Sequence, residues 1–266
     1  MAAVDRHRFG RLVLQTWQLD DLLRVPPGEF RLVIPVNSEV FVLAHEIREF
    51  GRLLERTVNV IDSRVVQQFV RLRELNWRPP GMAGGADSIY PIAAHVRSTG
   101  EGMFLLGAAE EVNRRACSRL RTLYPGLRIG GFAPPMVGAA ADASWSEEAL
   151  SRIREFAPLF LGVCLGPPRQ EFWMDGHRAA LAAAGVRVAM ALGGTADFVA
   201  GAKPRAPRLM NWLGLEWLFR LLWEPRRRWQ RTAGMLRMPW YALFYHRTNA
   251  ESKSPDDQPG FNAKGS

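Results

Sequence analysis

Two short stretches set hydrogen-bonding and acidic side chains just behind glycine-containing turns, where a chain can hold a phosphorylated or hydroxylated ligand. The first is Leu165-Gly166-Pro167-Pro168-Arg169-Gln170-Glu171-Phe172-Trp173. A Gly/Pro turn running into a helix is expected to expose backbone N–H groups and to favour an anion at the helix N-terminus. Gln170 and Glu171, in the first turn of that helix, can hydrogen-bond a base, a ribose or a sugar hydroxyl. In the plainer alternative Glu171 only supports the helix start and Trp173 is core. The second stretch is Gly193-Gly194-Thr195-Ala196-Asp197-Phe198-Val199-Ala200-Gly201, followed by Arg205-Ala206-Pro207. Beyond it, Lys203 to Arg231 carries eight Lys/Arg against two Glu, a net +6 of the chain's formal +9. Trp212, Trp217, Trp223 and Trp229 recur through the same segment. Basic and aromatic together, it suits an anionic, partly apolar surface such as a membrane carrying phosphate head groups or a lipid diphosphate. A packed terminal helix followed by a solvated basic turn is the alternative.

These residues need a scaffold, and the hydrophobic pattern describes one. Short apolar or β-branched runs at Arg31–Val36, Thr57–Ile61, Met103–Leu106, Leu127–Ile129, Phe160–Leu165 and Val186–Leu192 read as strands. Helical patterns lie between them, near Ser38–Glu55, Arg64–Asn76, Ser88–Ser98, Ala109–Tyr124, Ser146–Phe156 and Arg169–Ala184. The alternation predicts an α/β fold with a mostly parallel sheet and helices on both faces. Ligands of such sheets bind beyond the carboxyl ends of the strands. That draws attention to Asn37, Asp62, Gly107, Gly166 to Glu171, and Gly193 to Asp197. Residues 1 to about 30 are expected to form a strand or hairpin and a short helix, with Pro26-Pro27-Gly28 as the break. Near the other end, the helix around Pro207–Trp223 carries one polar stripe, Glu216, Arg220 and Glu224. Nearly everything else on it is apolar, so it needs cover on two sides. Pro225 is expected to break it, with Arg226-Arg227-Arg228 opening the next helix.

A chain of 266 residues with 47% hydrophobic and 23% charged residues can bury a sizeable core. The basic balance points to anionic partners: nucleotide, lipid head group or nucleic acid. Nucleic acid is disfavoured because the basic residues interleave with large aliphatics and match no recognised module. Cys117 and Cys164 sit in apolar segments and fit neither a metal nor a disulfide pattern, which points to a reducing cytoplasm. The N-terminal MAAVDRHRFGRL lacks the apolar core of a secretory signal. No apolar run reaches the roughly 20 residues of a spanning helix. The expected location is cytoplasmic, peripheral at the inner face of the plasma membrane.

The two turn stretches carry a more specific likeness. PPRQEFW and DFVAGAKPRAPRLMNWLGLEWLFRLLWEPRRRWQR resemble the PxQExW and DFxAGxxxRAPxWMxxxGLEWLYRLxxEPRRLWRR patterns of the WecG/TagA/CpsF family of bacterial glycosyltransferases. The likeness runs upstream through FLLGAAEEVNRRACSRLRTLYPGLRIGG. Val36-Asn37-Ser38-Glu39 and Ile61-Asp62 stand at the places of the family's TxNxE and PDGxG motifs. Together the similarity covers roughly residues 8 to 235.

The resemblance implies a Rossmann-like α/β body with a helical, basic C-terminal appendage that completes the active site at a membrane. It implies inverting transfer of a sugar, typically N-acetylmannosamine, from a UDP donor to an undecaprenyl-diphosphate-linked sugar, with no cofactor and no divalent metal. This chain contains no Asp-x-Asp. Without a metal, the leaving diphosphate must be offset by arginines and helix N-termini, which gives Arg220, Arg226 and Arg227 a purpose. Carried over residue by residue, Asp62 is the general base that deprotonates the acceptor hydroxyl. Asn37 hydrogen-bonds donor sugar or acceptor. Gln170 and Glu171 hold nucleotide or sugar, and Asp87 and Gly107 belong to the same substrate site. Arg205 either binds substrate or pairs with Asp197 as a structural clasp, the clasp being favoured.

The chain also departs from the family. PDGxG reads Ile61-Asp62-Ser63-Arg64-Val65, so side chains stand where two glycines let a substrate approach the backbone. The family's Thr is Pro35. RxxGxDL reads Met82-Ala83-Gly84-Gly85-Ala86-Asp87-Ser88, without its Arg. These changes leave altered specificity or a catalytically impaired, membrane-associated scaffold as the competing outcomes. The expected organisation is a glycosyltransferase body over 1–202, a basic Trp-rich membrane-associating appendage over 203–247, and a disordered tail over 248–266. Self-association is open.

Overall fold

The computed structural model describes residues 6–73, 87–135, 144–207, 210, 216–223, 225, 233–234 and 236–244. The chain opens with a hairpin of β1 (Arg6–Phe9) and β2 (Leu12–Gln15), then α1 (Leu19–Leu23). The sheet begins with β3 (Arg31–Val36), followed by α2 (Ser38–Glu46), α3 (Arg48–Leu54) and β4 (Val58–Ile61). After α4 (Arg64–Arg73) and α5 (Ile89–Thr99) come β5 (Gly102–Gly107), α6 (Glu110–Leu123) and β6 (Arg128–Phe132). The second half adds α7 (Ser144–Phe156), β7 (Phe160–Cys164), α8 (Arg169–Gly176) and α9 (Arg178–Ala183). It continues with β8 (Val188–Ala191) and α10 (Thr195–Val199), then α11 (Glu216–Trp223) and α12 (Met238–Phe244).

Strands β3 to β8 form one six-stranded sheet in the order β4-β3-β8-β7-β5-β6, and every pairing in it is parallel. All six expected strands are present, and the reason is burial. Strands covered on both faces read as continuous apolar runs, as in Phe160–Cys164, where every residue is buried. Pro35, which has no N–H to give a ladder, lies beyond the last β3–β8 pair, Val33 with Met190. The expected N-terminal hairpin lies along β4. There Asn59, fully buried, donates to Val13 O and Leu54 O, and Gln15 donates to Thr57 O.

The two faces of the sheet bury separate cores. Leu32, Ile34, Val36, Leu106, Leu161 and Val163 pack under α2, α3, α4, α7, α8, α9 and the hairpin. Val33, Val60, Met103, Leu105, Phe160 and Met190 pack under α1, α5, α6 and α10. Helices that follow β3, β4, β6 and β7 therefore leave on one face, and those that follow β5 and β8 on the other.

Two expected helices are each broken once. Ser38–Glu55 is interrupted at Ile47, which is extended (φ −105°, ψ 106°). The break lets α3 cross close over α2, where a Cβ on Gly51 would lie 2.7 Å from Ala44 O. Arg169–Ala184 is interrupted at His177, whose Nδ1 bonds to Trp173 O at 2.7 Å and whose Nε2 meets Ser146 Oγ at 3.2 Å. Asp175 pins this end of α8. It pairs with Arg56 and, at 3.2 Å, with Arg178, and the hydrogen bond from Arg56 above all holds its carboxyl below the usual range.

Toward the C-terminus, α12 packs on α2 and α4 through Met238 and Ala242, each 1% exposed. Leu222, Trp223, Leu236, Trp240, Leu243 and Phe244 are exposed. The ion-paired stripe of Glu216, Arg220 and Glu224, the Arg226–Arg228 helix start and the 248–266 tail lie outside the residues whose side chains or positions are described. No helix among the described residues is long and apolar enough to cross a membrane.

Candidate active site

Residues after adjacent parallel strands end up side by side. The register pairs Val36 with Ile61, and Asp62 N–H donates to Val36 O at 3.0 Å. Asn37 and Asp62 are therefore neighbours at the carboxyl edge of the sheet, both half-buried. Asn37 caps α2, its Oδ1 accepting from Val40 N–H at 3.0 Å. Ser63, where the family pattern has glycine, caps α4: its Oγ accepts from Val65 N–H at 3.2 Å. The substitution therefore has a structural use, because it fixes the start of the helix directly after Asp62.

Moving along the same edge, the strand order brings in the turns after β8, β7 and β5. Because α2 and α8 leave on one face and α6 and α10 on the other, these turns diverge, the topology that opens a ligand crevice in parallel sheets. Gly107 closes β5 with φ +105°, and a Cβ there would sit 2.7 Å from the backbone of Cys164. Ala108 follows at φ +62°, its N–H donating to Cys164 O at 3.0 Å. Asn113 of α6, buried, donates to Leu105 O and to Gly107 O at 3.0 and 2.8 Å, so a helix side chain holds this turn. Its role was not visible in the sequence, where it reads as one more polar residue of an amphipathic helix.

The turn after β7 narrows one expectation. It offers fewer backbone N–H groups than a Gly/Pro turn suggests: Pro167 and Pro168 have none, and Gly166 N–H donates to Gln170 Oε1 at 3.2 Å. The same Oε1 accepts from Gly193 N–H, after β8, at 3.1 Å. Gln170 Nε2 donates to Glu171 Oε1 at 2.9 Å. Gln170 is 3% exposed and Glu171 fully buried, while Glu171 Oε2 has no hydrogen-bond partner among the described residues. Burial first, and the nearby carboxyl of Glu39 on α2 as well, pushes the Glu171 carboxyl up to about 7, against the hydrogen bond from Gln170.

A correction concerns Arg205. Asp197 pairs with Lys203 at 3.4 Å, whereas Arg205 pairs with Asp87 at 2.8 Å and lies over the Phe198 ring. The backbone decides this, because Ala202 and Lys203 N–H both donate to Asp197 O and turn Lys203 onto the carboxylate. Asp87 and Arg205 are thus brought together with each other. The side chain of Arg220, and Arg226 and Arg227 altogether, lie outside the described residues.

Other features belong to packing. A groove of about 350 Å3 on β5 and β6 is lined by Phe104, Arg128, Gly131 and Arg152. Its arginines are engaged with Phe156 O and Ala157 O and with Glu148. Cys117 and Cys164 are free and buried, and burial pushes their thiols up to about 11 and about 12. Among the described residues no three His, Cys, Asp or Glu side chains converge to hold a metal ion.

The sequence model of the glycosyl transferase WecG/TagA/CpsF family matches residues 15–253. An N-acetylglucosaminyldiphosphoundecaprenol N-acetyl-beta-D-mannosaminyltransferase of Bacillus subtilis (strain 168) is 29% identical over 212 residues, covering 80% of this chain and 77% of that protein. A protein of the same name from Staphylococcus aureus (strain MRSA252) is 29% identical over 210 residues, 78% of this chain and 76% of its own length. Another from Bacillus spizizenii is 33% identical over 153 residues, 58% and 54% of the two chains.

Proposed function

The chain belongs to the WecG/TagA/CpsF family of glycosyl transferases, and from that premise we propose the reaction it carries out. It moves an N-acetylmannosamine-type or related hexose from a UDP donor to a polyprenyl-diphosphate-linked acceptor in cell-surface polysaccharide biosynthesis. The transfer is inverting and uses no metal. The relatives' names support the sugar and the lipid-linked acceptor. The observation that carries the site is the adjacency of Asn37 and Asp62 beyond β3 and β4, at the mouth of the crevice.

Asp62 is the base. Half-buried at the end of a strand, it takes the proton of the acceptor hydroxyl as that oxygen attacks the anomeric carbon from the face opposite the leaving group. The bond from the anomeric carbon to the diphosphate oxygen breaks, and UDP leaves with the electron pair. Asn37 spends its side-chain oxygen on the α2 cap and keeps its amide N–H groups for a sugar hydroxyl. The turn after β7 offers few N–H groups, so charge on the departing diphosphate falls to guanidinium groups: Arg220, Arg226 and Arg227. Asp87 and Arg205 act as a pair that ties the entry of the appendage to the start of α5. The protein lies peripherally at the inner face of the plasma membrane, with Leu222, Trp223, Trp240 and Phe244 toward lipid.

The test is a panel of UDP-sugars with a polyprenyl-diphosphate-linked acceptor in detergent, read as released UDP. Asp62→Asn should keep the wild-type melting temperature and lose turnover by at least about a hundredfold, the usual range for a general base. Full rate in Asp62→Asn removes the base from the mechanism. No turnover with any donor, together with no calorimetric UDP binding at millimolar nucleotide, points instead to a non-catalytic scaffold.

A further inference from the structure

The turns that follow two adjacent strands meet at one atom. Gln170 Oε1 accepts the N–H of Gly166, four residues before it and after β7, and the N–H of Gly193, after β8. Both glycines sit at positive φ, +78° and +51°, so each turn depends on a backbone conformation that few residues adopt. The two turns follow adjacent parallel strands whose next helices, α8 and α10, leave on opposite faces of the sheet, the place where such sheets bind ligands. The amide oxygen that binds them has little exposed surface, and its carrier is 3% exposed. Behind it, Glu171 is fully enclosed and accepts from Gln170 Nε2. That hydrogen bond fixes which way the Gln170 amide faces, because only the oxygen can accept both backbone N–H groups.

We propose that Gln170 is a positioning residue: oriented by Glu171, it clamps the turns after β7 and β8 into one rigid floor for the sugar donor. This rests on the glycosyltransferase reading for the identity of the ligand, but the clamp itself is a property of the fold. A polar residue that grasped substrate through the same oxygen would have to give up two backbone N–H partners at once, and of these only Gly193 has a second acceptor, Val163 O at 3.3 Å. The arrangement therefore assigns donor contact to the turns and to residues across the crevice, and geometry to Gln170.

The clamp has a signature that a direct contact lacks. Exchanging the two side chains, Gln170→Glu with Glu171→Gln, reverses the hydrogen bond between them and keeps an oxygen facing both glycines. In the exchanged pair a carboxylate accepts from Gly166, Gly193 and the new amide, so all its buried donors are met. Gln170→Ala removes the acceptor altogether.

Hydrogen–deuterium exchange of the full chain reads the clamp without any assay of activity. Gln170→Ala is expected to speed exchange at Gly166 by about tenfold or more and at Gly193 by less, since Gly193 N–H keeps Val163 O at 3.3 Å, and the exchanged pair to restore both. Should Gln170→Ala fail to fold, Gln170→Met fills a similar volume, accepts nothing, and gives the same reading. Unchanged exchange at either glycine overturns the clamp. In the UDP-release assay, Gln170→Ala is expected to lower kcat and raise the donor KM, and the exchanged pair to recover kcat to within about threefold. If the exchanged pair protects both glycines yet stays as slow as Gln170→Ala, Gln170 touches substrate and the positioning role is wrong. A wild-type protein inactive with every UDP-sugar defeats the functional reading alone, since amide exchange still decides the clamp.

Discussion

The ring of Tyr241 is stacked on the imidazole of His45, with centroids 5.1 Å apart and planes inclined by 24°. This contact fastens α12 to the C-terminal end of α2, the helix whose other end is capped by Asn37. It is reinforced where Glu46 Oε1 accepts from Tyr241 OH at 3.3 Å and pairs with Arg237 at 2.9 Å. Tyr241→Ala is expected to cost about 1–2 kcal/mol of stability, the aromatic contact together with its packing. It should also make the chain after Leu236 easier to cleave. Urea unfolding and limited proteolysis check this, and an unchanged cleavage pattern means that α12 is held by other contacts.

His45 adds an acid sensitivity to the same junction. Its Nδ1 bonds to Phe41 O at 2.8 Å, and its Nε2 accepts from Arg11 N–H at 3.3 Å, so the ring is held neutral between its partners. Burial, and secondarily the charge of Arg11, lowers it to about 4, against the bond to Phe41 O. The unfolded chain binds the proton more readily. The His45 contribution is therefore complete above about pH 6.5 and is lost as pH falls toward 4, by roughly 3 kcal/mol in all. In His45→Gln that share of the acid slope should vanish from urea-unfolding free energies measured between pH 7.5 and 4.5.

Glu171 works in the opposite direction. Its folded-state carboxyl lies near 7 instead of 4.5, because burial penalises the charge and Glu39 adds a further repulsion. The folded protein holds the proton that the unfolded chain gives up, so stability falls as pH rises from about 4.5 to 7. The full effect is of order 3 kcal/mol. Glu171→Gln should flatten that fall, making the variant gain on the wild type as pH rises to 8. If the two proteins track each other across the range, Glu171 is not the buried acid its surroundings describe.

Gly107→Ala tests the close approach at the head of β5. The new Cβ would have to occupy a φ of +105° and lie 2.7 Å from the Cys164 backbone. Strain and overpacking together should cost about 2–4 kcal/mol. Thermal unfolding measures it, and a loss below about 1 kcal/mol would mean that the β5 and β7 turns part with little resistance.

Much of the scaffold was legible because it rests on local pattern. Leu32–Val36 and Phe160–Cys164 are short apolar runs rich in β-branched or aromatic residues, as strands buried on both faces are. Asn37 and Asp62 followed from the strand ends alone. The break at Ile47 was not legible, because the apolar periodicity runs through it without Gly or Pro; at His177 the only local mark is Gly176, and the helical pattern resumes directly after it. Each depends on a neighbour elsewhere, α3 crossing α2 in one case and Ser146 in the other. Lys203 and Arg205 are both basic and close behind Asp197, and only the path of the backbone selects between them. Gln170 was conspicuous as a polar residue in a turn, but its second partner, Gly193, lies 23 residues further along the chain. Nothing local marks such a convergence.

The position of β8 has a consequence for biosynthesis. β3 has β4 on one side and β8 on the other, and β8 is also the link to β7. While the chain is being made, β3 and β4 can pair early, and β5, β6 and β7 can assemble later as a second block. Neither block has its inner edge covered until Val188–Ala191 leaves the ribosome. Until then both carry an unsatisfied strand edge, the kind of surface on which nascent chains aggregate or recruit chaperones. A four-residue strand is thus the seam of the whole sheet, and stalling or truncation just ahead of it leaves two sticky halves in place of one enzyme.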